Sequence, residues 1–518
     1  MARPDLHVNV QNPEGRTALS IAAGANNVPM MEALLAQPDI LVNTIDSAGR
    51  TALHFAATTG HYQPVTLLLN RQDLWMKNTA LVLAVQSNDV ASVDAFLLRP
   101  SLNAVVVDMF GMTPLMWAIR ERYTSIVTRL LSCAAVVDNI NLKSKEENTA
   151  LMIACRRGNV DAVNLVLALP TVDVHLQGRK GCTALGLAAM HGRTDIVHAL
   201  LGYPDIALSM NAVSPGGSTP LFNACKNGHQ DIAKLFLAHP SINLHADVDQ
   251  SPLYIAASQG RTQIVELLLQ RACYPVNQPS RNYAYTALHG AARGGYINVV
   301  KLLLDQPGID INFLNDDGQT AFHEAAKEGH DGIIELFLQH PQLHSINLQD
   351  VNQCTALRLA CHGGNSSVVM ILLKRNDIDV NLPCSGGNSP LMAAVMVDDV
   401  DSVSSLVRHP HIQVNHRNYQ QDTALLLGAS SAINVLLEHL LSHPDIDKTV
   451  QNVGVNGENS YKIPRSDVTE DDAIALELMD TLLEAEDRMS HACDLMQVMV
   501  VVKGEGSDST LTRLPGDS

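Results

Sequence analysis

The apolar positions of this chain fall into two short helical registers that alternate for most of its length. The first opens on Ser or Thr and runs through two apolar residues to a pair of small ones, as in "TALHFAAT" (51–58) and "TAFHEAAK" (320–327). The second follows after a one-residue break and reads "IVHALL" (196–201) or "IVELLL" (264–269). Apolar residues three and four apart predict amphipathic helices, here only two turns long. The opening Ser or Thr suits an N-cap, and Pro114, Pro220, Pro252 and Pro390 follow it at N1, where no amide is needed. Nine residues after the anchor stands Gly60, Gly158, Gly192, Gly228, Gly260, Gly295, Gly329 or Gly364, with Asn26 and Asn88 in that place twice more. Gly and Asn enter the left-handed conformation that ends a helix. Arg122, Asp398 and Ala432 stand there instead in three repeats. Prolines such as Pro38, Pro204 and Pro307 close the second helix. Turns such as Asp46–Gly49, Asp108–Gly111 and Asn315–Gly318 then form a projecting finger.

Anchors fall at 17, 51, 79, 113, 149, 183, 219, 251, 286, 320, 355, 389 and 423, which makes 13 repeats spaced 28 to 36 residues apart. A period near 33 carrying T-P-L-H-x-A resembles the ankyrin family over roughly residues 4–450. The resemblance implies an all-α ankyrin-repeat solenoid of helix-turn-helix-finger units, with fingers and first helices lining a concave side. It also implies a structural role for His54, His289 and His323 between neighbouring units. Fingers before Thr149, Thr219 and Thr286 are lengthened, and the one before Thr79 is shortened. Residues 1–450 are thus expected to form the array, 451–466 a linker or degenerate repeat, 467–499 an acidic amphipathic helix capping it, and 500–518 a disordered tail.

Composition narrows the function. Aromatics make up 4% of the chain, so the core must be aliphatic and small. The net charge is −18, and residues 451–518 hold 14 acidic and 5 basic side chains, half of that excess. An overall basic footprint for nucleic acid is missing. No apolar stretch is long enough to span a membrane, and the N-terminal "MARPDLHVNVQNPEG" lacks a secretory apolar region. Nine scattered cysteines without CxxC pairs or zinc-ligand spacing read as reduced thiols in the cytoplasm. No metal, cofactor or small-molecule ligand is expected.

Candidate chemistry mostly dissolves into the repeat. Cys155, Cys225 and Cys361 fall six residues after their anchors, a slot that elsewhere holds alanine, so they read as small buried hydrophobes. The clusters "SPGGSTP" and "CSGGNSP" lack a phosphate loop's Lys-Ser/Thr ending. No catalytic residue is nominated, and the chain reads as a non-enzymatic scaffold or adaptor that binds proteins. On the family's concave positions stand Arg120, Arg156, Arg157, Lys226, Arg293 and Lys327, interrupted by Glu121 and Glu328, a stripe suited to an acidic peptide. Trp75, Tyr283 and Tyr285 in the irregular fingers are candidate anchors for a partner. Asn312 and Asn381 resemble the asparagines that an iron-dependent hydroxylase modifies in animal ankyrin arrays, against a plain role in satisfying the finger's backbone. An alternative is an effector of a host-associated microbe, secreted into a host cell's cytosol, with its activity or export signal in the C-terminal tail.

Overall fold

The computed structural model describes residues 7–447 except 72, 75, 76, 100, 101, 245–249, 272, 273 and 430–433. Trp75, Ala432 and the expected C-terminal linker, capping helix and tail lie outside the described residues. The described chain is helical, with one isolated bridge between Gln11 and Thr17. The described residues divide into two compact units, one formed by those up to 256 with 263–275, the other by 257–262 with those from 276 onward.

In the first unit the first helices of successive repeats (18–24, 52–59, 77–86, 114–120, 150–157, 184–190 and 220–227) pack each on the next. The second helices (28–35, 62–69, 90–97, 124–131, 160–167 and 194–201) form a parallel row beside them, continued by 230–238. The second unit repeats the arrangement with first helices 287–293, 321–328, 356–362, 390–396 and 424–428 and second helices 297–304, 331–339, 366–373, 400–407 and 434–441. Helices this short do not persist alone, so packing between repeats holds them. Leu53, Leu81, Leu185, Leu288 and Leu357 lie wholly buried between rows, as do Val197 and Leu200 of a second helix. Each such side chain contributes about 1.5–3 kcal/mol by leaving water.

The helix ends follow the sequence signals. Thr113 Oγ1 accepts from the Met116 amide at 3.2 Å, and Thr149, Thr183, Thr219, Thr355, Ser389 and Thr423 make the same cap. Gly60, Gly158, Gly228 and Gly329 close their helices in the left-handed region. Arg122 and Asp398 adopt that conformation too, at φ of 66° and 57°. The missing glycine therefore changes the residue and not the turn. The lengthening before Thr149 and Thr219 is also not in the finger itself. It forms short extra helices, 134–138 and 207–210, between the second helix and the finger.

Two recurring sets of side-chain bonds shape the fingers, the first within a turn and the second a ladder between repeats. At the head of the turn, Asp46 Oδ1 accepts from the amides two and four residues on, at 3.0 and 2.8 Å. Asn12, Asp108, Asn315, Asp350 and Asn418 do the same. In the ladder, Asn9, Asn141, Asn211, Asn277, Asn347 and Asn415 each donate to a carbonyl and accept from an amide in the following repeat. Asparagine fits because one amide group supplies both a donor and an acceptor.

Candidate functional site

The last turn of a first helix is where the basic candidates stand, and the two units present them separately. In the first unit Arg120 lies over the Trp117 ring at 4.7 Å and reaches Glu121 at 3.4 Å. Arg156 faces Glu146 at 3.6 Å. Both are half-exposed, and their charge is partly answered by their own acids. Arg157 and Lys226 are exposed and enter no ion pair among the described residues. The Arg157 carbonyl accepts a bond from the Arg122 guanidinium of the preceding repeat.

The second unit carries a denser arrangement. Arg293 is exposed, with its Nε 3.9 Å from both Glu324 Oε2 and Glu328 Oε1. Glu324, four residues past its anchor, occupies a position that holds apolar residues or asparagine in most other repeats. Its side chain is 1% exposed. Tyr285 donates to Glu324 Oε1 at 3.1 Å, while Oε2 has no hydrogen-bond partner. Burial raises the Glu324 carboxyl above its ordinary value, offset in part by Tyr285, Arg293 and Lys327. Burial and then Glu324 push the Tyr285 phenol up to about 12.

The irregular finger 276–285 sets this corner. Tyr283 and Ala284 sit at φ of 68° and 50°, a left-handed pair that L-residues adopt at a cost. The Asp316 amide of the next finger donates to the Tyr283 carbonyl at 3.1 Å and holds it there. The result turns Tyr283 outward at 64% exposure and folds Tyr285 in. Ring centroids run from Tyr283 to Tyr285 at 6.4 Å, then to His289 at 5.7 Å and Phe313 at 6.3 Å. Tyr285 thereby links Tyr283 on one side to Glu324 and Arg293 on the other, and Lys327 stands one turn past Glu324 on the neighbouring helix.

His289 is fully committed within this corner. Its Nδ1 accepts from the Thr286 amide at 3.3 Å, and its Nε2 faces the Gln319 carbonyl of the next repeat at 3.0 Å. Those two partners require the neutral ring with its proton on Nε2. Burial lowers its pKa to about 4. His323 repeats the arrangement with Leu348, and His54 with Thr79. Cys155, Cys225 and Cys361 are wholly buried, which pushes their thiols up and leaves them inert.

Asn312 and Asn381 belong to the asparagine ladder. Asn312 Nδ2 donates to the Gln342 carbonyl at 2.8 Å and its Oδ1 accepts from His344; Asn381 binds His411 and Gln413 likewise. The backbone they satisfy is that of the following repeat, about 30 residues away, and not of their own finger. Sequence reasoning missed Glu324 and the exposed tip residues Met109 and Phe110. The tip was readable, since the middle of an Asx-x-x-Gly turn faces solvent. Among the described residues there is no group of His, Cys, Asp and Glu able to hold a metal, and no helix long and apolar enough to cross a membrane.

A family model of three ankyrin repeats matches residues 3–78, 135–211, 206–280, 241–315, 288–384 and 322–418, and a single-repeat model matches 110–145. The chain belongs to the ankyrin-repeat family. Ankyrin repeats are modules of protein–protein interaction, and the family is generally non-enzymatic. Similar proteins include "Ankyrin repeat and KH domain-containing protein mask-1" of Caenorhabditis elegans, 31% identical over 301 residues, 57% of this chain and 10% of that protein. Alpha-latrotoxin-Lg1a of Latrodectus geometricus is 32% identical over 113 residues, 21% of this chain and 8% of its own. Transient receptor potential cation channel subfamily A member 1 of Homo sapiens is 37% identical over 168 residues, 32% of this chain and 14% of its own. The ankyrin chain thus spans well under a fifth of the length of these relatives.

Proposed function

We propose that this ankyrin array is a cytoplasmic scaffold or adaptor that holds an acidic segment of a partner protein against its first-helix row. The observation carrying this reading is the corner of the second unit, where Tyr285, in ring contact with exposed Tyr283, bonds Glu324, and the exposed Arg293 and Lys327 act on that same carboxylate. Tyr283 offers a large rigid surface, and the cations supply charge-assisted bonds to carboxylates. Arg293 is held only loosely by its two acids, so a partner carboxylate can recruit it at small cost. Arg157 and Lys226, two repeats apart, give the first unit exposed cations outside any ion pair among the described residues, with Arg120 and Arg156 as further charges on the same row. Free cysteines at seven described positions fit a reducing compartment. Hydroxylation at Asn312 and Asn381 is a further reading. Six other ladder asparagines make the same bonds, which favours a structural role for both.

The test is a quantitative pull-down from the native host with wild-type protein and two charge reversals, Arg156→Glu with Arg157→Glu, and Arg293→Glu with Lys327→Glu. Circular dichroism establishes that the fold survives. Depletion of the same partners by one or both reversals is expected. An unchanged set of captured proteins overturns the proposal.

A further inference from the structure

The turn-head slot described above holds Asp or Asn in six fingers, and in the finger at 384–388 it holds Cys384. The backbone there is unaltered: the Cys384 amide donates to the Asn388 carbonyl at 3.0 Å and the Gly387 amide to the Cys384 carbonyl at 2.8 Å. In the Asp350 finger the corresponding bonds are 3.0 and 2.8 Å. With the same turn backbone, the Gly386 and Asn388 amides face the Cys384 sulfur, whereas other fingers point the same two amides at a carboxylate or carboxamide oxygen. A second register rule fixes its neighbour. In the two flanking fingers the residue before the anchor reaches the next turn head: Gln319 bonds Asp350 at 2.7 Å, and Asn388 bonds Asn418 at 2.8 Å. Between these two pairs, the same relation joins Cys354 to Cys384. The two cysteines share one buried cluster with Leu359, and the Arg358 guanidinium faces both sulfurs.

We propose that Cys354 and Cys384 form a peroxide-sensitive thiol pair, oxidised to a disulfide that links adjacent fingers. Cys384 is the attacking member. Burial opposes its ionisation, yet the Gly386 and Asn388 amides and Arg358 outweigh it and hold the thiol below its ordinary value. Burial dominates at Cys354 and pushes that thiol up to about 11. The Cys384 thiolate attacks a peroxide oxygen and the O–O bond breaks. Cys384 sulfenic acid forms, and the leaving oxygen takes a proton as water or an alcohol. Cys354 then attacks the sulfenic sulfur, the S–S bond forms and the S–O bond breaks, and a second water leaves with the Cys354 proton. Two thiols are oxidised and one peroxide is reduced. Both cysteines keep 6–7% exposure, whereas Cys155, Cys225 and Cys361 have none.

The experiment treats the full chain with hydrogen peroxide and maps unreduced peptides by mass spectrometry. A Cys354–Cys384 cross-linked peptide is expected. In Cys354→Ser, a sulfenic-acid probe should label Cys384 at least tenfold faster than the more exposed Cys133 and Cys182. Cys384→Asn restores the usual turn-head acceptor, so it should fold like wild type and give no cross-link. Absence of the cross-link, or labelling of Cys133 and Cys182 ahead of Cys384, overturns the proposal.

Discussion

Acidification should loosen the array at His289, by an amount the structure sets. The ring is neutral because Nδ1 accepts from the Thr286 amide while Nε2–H donates to the Gln319 carbonyl. A second proton would turn Nδ1 against an N–H and place a charge in a site that is 1% exposed. The pKa falls from 6.5 to about 4, chiefly through burial. A depressed histidine contributes stability that is complete above the unfolded value. That stability is lost as pH falls from about 6.5 toward about 4. At pH 5 the linkage amounts to about 2 kcal/mol for this ring alone. His289→Gln keeps the cap, because Gln at the third helical position accepts from the same amide without titrating. Urea unfolding at pH 7.5 and pH 5 should show wild type losing about 2 kcal/mol more than His289→Gln between the two conditions. Equal losses would refute the assigned tautomer and its burial cost.

Further outcomes follow from particular residues. Glu147 ends its finger turn at φ of 59°, where most other fingers have glycine, so Glu147→Gly should stabilise by about 1 kcal/mol in thermal melts. The Glu324 carboxyl is raised by burial, and its ionised form favours unfolding. Glu324→Gln should therefore gain on the order of 1 kcal/mol at pH 7, an advantage that disappears once acid protonates the wild type. Asn312→Ala and Asn347→Ala remove equivalent ladder bonds and should cost the same, about 1 kcal/mol each by urea titration. Met109→Ser with Phe110→Ser alters only exposed tip atoms and should leave stability within about 0.5 kcal/mol, while any partner docking on that finger loses affinity.

The repeat was legible because each signal is local and recurs. Thr113 or Ser389 caps, Gly158 ends a helix and Pro114 begins one, and such preferences need no knowledge of distant residues. The class of the buried cysteines followed from register alone, since Cys155 shares a slot with alanines. What sequence concealed depends on contacts between repeats. Glu324 looks like an ordinary surface acid until Tyr285, 39 residues earlier, is seen bonded to it. The role of Asn312 is likewise set by a carbonyl in the next repeat. The lengths before Thr149 and Thr219 announced extra residues, but whether these wind into helix or extend the finger rests on local packing. Arg120 and Arg156 read as part of an interrupted basic stripe in the sequence, and Trp117, Glu121 and Glu146 engage them in the fold.

The central claim is that the array works by holding an acidic partner segment on its exposed cations and Tyr283. The most direct measurement is calorimetric affinity of a captured partner for wild type and for Arg293→Glu with Lys327→Glu, at low and high salt. The account predicts at least a tenfold loss on reversal and a clear weakening of wild-type binding with salt, since exposed charge pairs are screened. Equal affinities with no salt dependence would contradict it.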